Sequence, residues 1–253
     1  MPLELWHYPL LFFVGLIAGT VDAVAGGGGL ITVPALLNLG LPVPLALGTN
    51  KFQSSFGSVS ASVHFVRCGA VTLRECRLGI LMTLLGALLG AVTVQQIDAD
   101  LLHYVVPWLL IAILLYTLLR PSIGIENHPP KIPAPLFFTA FGLGLGFYDG
   151  FFGPGTGSFW AIALVLLLGQ NFTRATAFTK IMNATSNLAS LALFAAAGLV
   201  HLGAGATMAA GQLVGGRLGA GLVVTRGARL IRPVFLIVVS LTLARLLWVS
   251  YAK

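Results

Sequence analysis

Long apolar runs alternate with short polar breaks along the whole chain. Apolar segments fall at residues 9–25, 29–41, 45–66, 78–95 and 101–119, and again at 134–152, 157–169, 173–197, 204–224 and 230–249. Most approach the ~20 residues that an α-helix needs to cross a bilayer. Residues 9–25 and 29–41 are short for separate crossings, and the glycine run Gly26–Gly29 divides them. The pattern predicts either a re-entrant hairpin or a pair of bent, tilted helices there. Leu41-Pro42-Val43-Pro44 reads as a turn, and 121–135 holds five prolines with Glu126, His128 and Lys131 but no apolar run. This divides the chain into a first transmembrane repeat (1–120), a cytoplasmic linker (121–133) and a second transmembrane repeat (134–253).

The two halves share more than their pattern. Gly15, Gly19, Asp22, Gly26 and Gly28 recur 127 residues later as Gly142, Gly146, Asp149, Gly153 and Gly155. Further on the offset becomes 129. Ala46, Lys51, Phe65, Gly69, Gly86 and Gly90 meet Ala175, Lys180, Phe194, Gly198, Gly215 and Gly219. A two-residue insertion near the second glycine break accounts for the change. Each half therefore reads as a glycine-broken helix pair followed by three transmembrane helices, and the fold class is an all-α polytopic membrane protein. Glycine costs about 1 kcal/mol inside a helix, so a run of it marks a break, and Pro154 reinforces the second one by removing a donor.

Composition sharpens this picture. Of 253 residues 57% are hydrophobic and only 8% charged, with mean hydropathy +0.96. Soluble domains average about 25% charged residues, and a transmembrane barrel would show short alternating segments instead. The net charge of +7 does not point to nucleic acid, because the arginines sit in short loops, where a cytoplasmic bias is expected. Arg67, Arg74 and Arg77 follow the helix at 45–66, whereas Arg226, Arg229 and Arg232 follow the helix at 204–224, one helix later in the repeat. If both clusters are cytoplasmic, equivalent helices cross in opposite directions, which gives inverted repeats. Arg120 and Lys131 then place the linker inside, and both termini lie outside if each broken pair returns to its starting side. Ala23-Val24-Ala25 resembles a signal-peptidase site, but no Lys or Arg precedes Lys51, and a secretory signal needs a positive start. Cys68 and Cys76 lack metal or disulfide spacing and read as free thiols.

The candidate chemistry lies where charge is costly. Asp22 and Asp149 occupy apolar segments, where a charge costs about 2.5–3.5 kcal/mol or more. Each either receives hydrogen bonds from glycine-loop amides and caps the next helix, or is a carboxylate that carries a proton during transport. Each glycine loop, Gly26, Gly27, Gly28 and Gly29 or Gly153, Gly155, Thr156, Gly157 and Ser158, leads into a helix whose first amides lack partners and whose terminus attracts anions. Lys51 opens a helix face with Ser54 and Ser58, and Lys180 one with Asn183 and Asn187. Spacings of three and seven place each trio on one side. The lysines either snorkel to the interface or hold an anion, and the polar faces either glue helices together or donate to its oxygens. A salt bridge between Asp and Lys is compatible with both. Gly86-x-x-x-Gly90 and Gly215-x-x-x-Gly219 are close-packing motifs, while His64 and His201 read as structural. No nucleotide motif or metal-ligand cluster appears, so neither a primary pump nor a cofactor is expected.

The chain resembles the sulfite exporter TauE/SafE family of membrane permeases. The resemblance rests on Asp22-Ala-Val-Ala-Gly-Gly-Gly-Gly29 with Pro34, on Leu47-Gly-Thr-Asn-Lys-Phe-Gln-Ser54, and on Phe178-Thr-Lys-Ile-Met-Asn-Ala-Thr-Ser-Asn187. It implies a bacterial inner-membrane carrier for small sulfur-containing anions such as sulfite or sulfonates. On this reading the glycine loops bind the anion, Asn50, Lys51, Ser54, Thr179, Lys180, Asn183 and Asn187 assist, and Asp22 or Asp149 handles a proton. Pro154 and Thr156 depart from an all-glycine loop, so the two anion sites are not expected to be identical. The alternatives are an anion channel and an intramembrane aspartyl protease with the two carboxylates sharing a proton. The Gly-x-Gly-Asp pattern typical of the latter is absent, since Phe147 follows Gly144-x-Gly146.

Overall fold

The computed structural model describes residues 4–94 and 126–227, with the positions 229–231, 233, 234, 236, 237, 240, 241 and 244 beyond them. The expected helix at 101–119, the acidic stretch at 95–100, Arg120 and Arg232 lie outside the described residues, as does part of the segment 230–249. Among the described residues the structure is all-helical, with eight complete helices. In chain order they are α1 (His7–Ala25), α2 (Gly29–Asn38), α3 (Val43–Arg67), α4 (Leu73–Thr93), α5 (Ala134–Phe151), α6 (Thr156–Leu167), α7 (Phe172–Ala196) and α8 (Leu202–Arg226).

Local chemistry sets the boundaries. Both glycine breaks form where expected, with Gly26 and Gly153 at φ +76° and +92°. Pro44 and Pro135 stand in the first turns of α3 and α5, where a missing N–H costs nothing. Thr72 and Asn171 cap α4 and α7 through their side chains. His201 has a definite structural task, its Nδ1 accepting from the Ala204 amide at the start of α8 (3.2 Å). The helices α2 and α6 have 10 and 12 residues. At 1.5 Å rise per residue, roughly 15–18 Å, each reaches about halfway through a hydrocarbon core of ~30 Å.

The packing interleaves the halves. α1 lies along α8 while α5 lies along α4, and α3 packs on both α7 and α8 while α7 also packs on α4. Glycine makes the closest of these contacts possible. A Cβ at Gly86 or Gly90 would stand 2.3 and 2.1 Å from the carbonyl oxygens of Leu143 and Phe147 on α5. At Gly215 and Gly219 the same additions would meet the carbonyls of Leu16 and Thr20 on α1 at 2.2 and 2.5 Å. The two close-packing motifs thus serve corresponding helix pairs.

Polarity runs inside out relative to a soluble domain. Lys51, Asp149, Lys180, Asn183, Asn187, Gln53 and Gln212 are buried, while Leu10, Phe13 and Ile17 on α1 and Leu81, Leu85 and Leu89 on α4 are exposed. Exposed apolar stripes of this kind mark a lipid-facing surface. α1 and α4 combine a spanning length with a mean hydropathy of 1.8. At 25 residues each, α3, α7 and α8 are longer. They are less apolar along their length because they turn polar side chains and glycines inward. Free Cys68 is exposed and Cys76 buried, with no disulfide between them.

Candidate functional site

The two lysines and two aspartates form crossed ion pairs. Lys51 on α3 meets Asp149 on α5, with Nζ 2.7 Å from Oδ1, and Lys180 on α7 meets Asp22 on α1, with Nζ 2.9 Å from Oδ2. Each pair therefore takes its cation from one half of the chain and its carboxylate from the other. Neither lysine snorkels to an interface, because their side chains are 3% and 0% exposed. Nor do the two aspartates pair with each other, as a proton-sharing dyad would require.

The surroundings of the pairs differ. The Lys51 ammonium also donates to the Asp149 backbone carbonyl and to Asn187 Oδ1 (3.4 Å), and the Ser186 hydroxyl donates to Asp149 Oδ2. Asp22 receives the Gly28 amide at 3.1 Å. One carboxylate thus takes a glycine-loop amide as expected, and that amide is already engaged before any substrate arrives. Asn187 Nδ2 donates to Ser58 at 3.4 Å, so the polar faces of α3 and α7 meet. Lys180 stands seven residues from Asn187 on α7, about 10 Å of helix rise. The two lysines are therefore attached at different heights along the bundle.

The glycine loops cross between the pairs. A Cβ on Gly26 would stand 2.4 Å from the Gly157 carbonyl carbon. Gly26 also holds a left-handed backbone conformation that other residues rarely adopt, so the contact needs glycine twice over. The Ser158 hydroxyl donates to Ala25 O at 2.9 Å, and Tyr148 donates to Pro154 O at 2.7 Å. The second loop is stiffened by these bonds as well as by Pro154.

A cavity of about 30 Å³ opens at this crossing. By the same measure one water needs ~10–15 Å³. Asp22, Gly26, Gly29, Asn50, Lys51 and Ser54 line it from the first half, and Asp149, Gly153, Gly155, Thr156, Gly157, Asn183 and Asn187 from the second. Most of the site residues expected from the sequence are thus brought together. Gly27, Gly28, Ser158, Thr179 and Lys180 are not on its wall. Thr179 bonds the Ala175 carbonyl at 2.8 Å, and Lys180 lies behind Asp22. Asn183 Oδ1 is buried without a hydrogen-bond partner, and its residue faces the cavity. Among the described residues no cluster of metal-ligating side chains occurs.

Three contributors escaped the sequence reading. Ser186 supports Asp149, Thr32 donates to Asn50 Oδ1, and Gln53 donates to the same oxygen at 2.8 Å. Ser186 corresponds to Gly57 in the other half, so comparing the repeats gives it no signal. Thr32 corresponds to Phe159 and Gln53 to Met182, and they are silent for the same reason.

Comparison with known proteins agrees with this architecture. Residues 11–246 match the family described as Sulfite exporter TauE/SafE. The chain belongs to the TauE/SafE family. A probable membrane transporter protein, YfcA, of Escherichia coli (strain K12) is 45% identical over 96% of this chain and 91% of its own length. A probable membrane transporter protein of Haemophilus influenzae is 46% identical, covering 94% of each chain. YdhB of Bacillus subtilis, also named a probable membrane transporter protein, is 26% identical over 68% of this chain and 71% of its own. No solved structure matches the chain. TauE/SafE proteins are membrane transporters, not enzymes, which disposes of the protease alternative.

Proposed function

We propose that this TauE/SafE chain is a multi-pass inner-membrane secondary transporter of a small sulfur-containing oxyanion, sulfite or an organosulfonate, driven by protons. The observation that carries the reading is the pair of buried lysines, each neutralised by a carboxylate from the opposite half, beside a cavity lined by both glycine loops. A buried ammonium is stable only with an anionic partner, and here that partner is a carboxylate. A substrate oxyanion competes with the carboxylate for the same lysine, with charge-assisted hydrogen bonds on either side of the exchange. Protonating Asp149 or Asp22 cancels its charge and releases its lysine to the substrate. Proton and anion then occupy the site together and leave it together, which is symport.

The cavity is too small for a sulfonate with an organic tail, so this conformation is closed around the site. Asn50, Ser54, Thr156, Asn183 and Asn187 are placed to hydrogen-bond oxygens once the carboxylates withdraw, and Thr179 and Ser158 steady the helices behind them. The halves 1–120 and 134–253 act as inverted repeats joined by a cytoplasmic linker at 121–133, and their relative rocking exposes the site to each side in turn. The test is uptake of labelled sulfite into proteoliposomes with and without an imposed pH gradient. Saturable, gradient-driven flux that is lost in folded Lys51→Ala and Lys180→Ala proteins is the expected result. Ohmic, non-saturating current would make the protein a channel, and flux unaffected by either substitution would remove the lysines from the site.

A further inference from the structure

A second group of cations lies away from the lysines. Arg174 on α7, Arg226 at the end of α8 and Arg229 just beyond it line one pocket of about 520 Å³, together with Asn127, Asn171 and Thr173. It is an open depression on the surface rather than an enclosed cavity, wide enough to admit a small hydrated ion. Arg174 is engaged by Glu75 at 2.9 Å, whereas neither Arg226 nor Arg229 has a carboxylate partner among the described residues. The wall is well ordered by hydrogen bonds. The Asn171 amide donates to Asn127 Oδ1 at 2.8 Å, and Asn171 Oδ1 accepts from the Arg174 amide at 2.9 Å. Arg226 alone is explained by the partial negative charge at a helix C-terminus. Arg174 also lies over the Phe178 ring at 5.6 Å. The cytoplasmic bias of loop arginines accounts for Arg226 and Arg229 being on this side, and not for their sharing one pocket with Arg174.

We infer that this pocket is a second binding site, for a small soluble oxyanion of the sulfate or sulfite type. Guanidinium groups present planar forks of donors that match oxyanion geometry. The wall of the pocket shares a helix face with the Lys180–Asp22 pair. Thr173 on its wall, Thr176 and Lys180 follow at spacings of three and four along one face of α7, over about 10 Å of rise. The hydroxyl of Thr176 is buried and has no hydrogen-bond partner. A buried hydroxyl left in that state is destabilising, and it stands midway between the arginines and the Lys180–Asp22 pair. The site gathers the anion at the end of the helix that carries Lys180. That role rests on the transporter reading, but the binding itself does not.

The test therefore reads binding rather than flux. Full-length protein in nanodiscs of zwitterionic lipid is treated with phenylglyoxal, and modification of Arg226 and Arg229 is followed by mass spectrometry with and without sulfate. Sulfate is expected to slow modification of both several-fold. In parallel, Arg226→Gln/Arg229→Gln protein is expected to lose one class of bound labelled sulfate while keeping the other. No protection by sulfate in the wild-type protein overturns the proposal, whatever the folding of the variant. Protection by anionic phosphatidylglycerol in the disc, with none by sulfate, also overturns it and assigns the pocket to a lipid headgroup. Protected arginines in a protein that moves no sulfite would keep the site and discard the transport reading.

Discussion

The two ion pairs occupy corresponding positions, yet they are not equally tight. Lys51 and Asp149 are 3% and 6% exposed, and the pair is reinforced by Ser186, by Asn187 and by the Asp149 carbonyl. Lys180 is fully buried, but Asp22 is 21% exposed and is supported beyond its lysine by one backbone amide. The difference traces to single residues. Where α7 carries Ser186, the corresponding position in α3 is Gly57, filled by the side chain of Gln212: a Cβ there would lie 2.1 Å from Gln212 Oε1. The two pairs form a tight latch and a looser one, and the looser carboxylate is nearer to water.

That comparison can be broken experimentally, starting with its strongest element. Lys51→Ala leaves Asp149 as an uncompensated buried charge, which costs about 3–5 kcal/mol. We expect sulfite flux at background and a clear drop in thermal stability of the detergent-solubilised protein. Gly26→Ala should be nearly as damaging, because its new Cβ meets Gly157 in a left-handed conformation. The readout is the yield of monodisperse protein together with flux. Asp22→Asn should cost less stability than Asp149→Asn, since Asp22 is part-exposed and accepts from one further donor, the Gly28 amide, whereas Asp149 is buried and also holds the Ser186 hydroxyl. Equal losses in paired thermal melts would show that the two latches are alike. Ser186→Ala removes one donor from Asp149 and should cost about 1–3 kcal/mol with flux reduced but present. Smallest of all, Asn183→Ala removes an already unpaired oxygen. Its stability should hardly change, while the KM for the anion rises if the Asn183 amide contacts substrate.

Much of this architecture was legible because the chain repeats itself. The breaks at Gly26–Gly29 and Gly153–Gly157, the helix boundaries to within a few residues, and the packing role of Gly86, Gly90, Gly215 and Gly219 all follow from periodicity and from the cost of glycine in a helix. Lys51, Lys180, Asp22 and Asp149 stood out because charge is rare in apolar segments. Their partnership did not. Sequence spacing gives no reason for Lys51 to choose Asp149 over the carboxylate of its own half, because that choice depends on how α1 and α5 swap neighbours in the bundle. Ser186, Thr32 and Gln53 were hidden for the opposite reason: they lie where the two halves differ, so a search for likeness passes over them. In the sequence the loop arginines indicate orientation, and only the fold brings Arg174 to the same pocket as Arg226 and Arg229.

The crossing of the glycine loops has a mechanical consequence. Gly26 and Gly157 touch with no side chain between them, and Ser158 ties its loop to the end of α1. There is no slack at that joint to absorb a shift of one hairpin, so displacing either must push or pull the other. On the transporter reading proposed above, opening on one side of the membrane is thereby tied to closing on the other, as with the interlocked doors of an airlock.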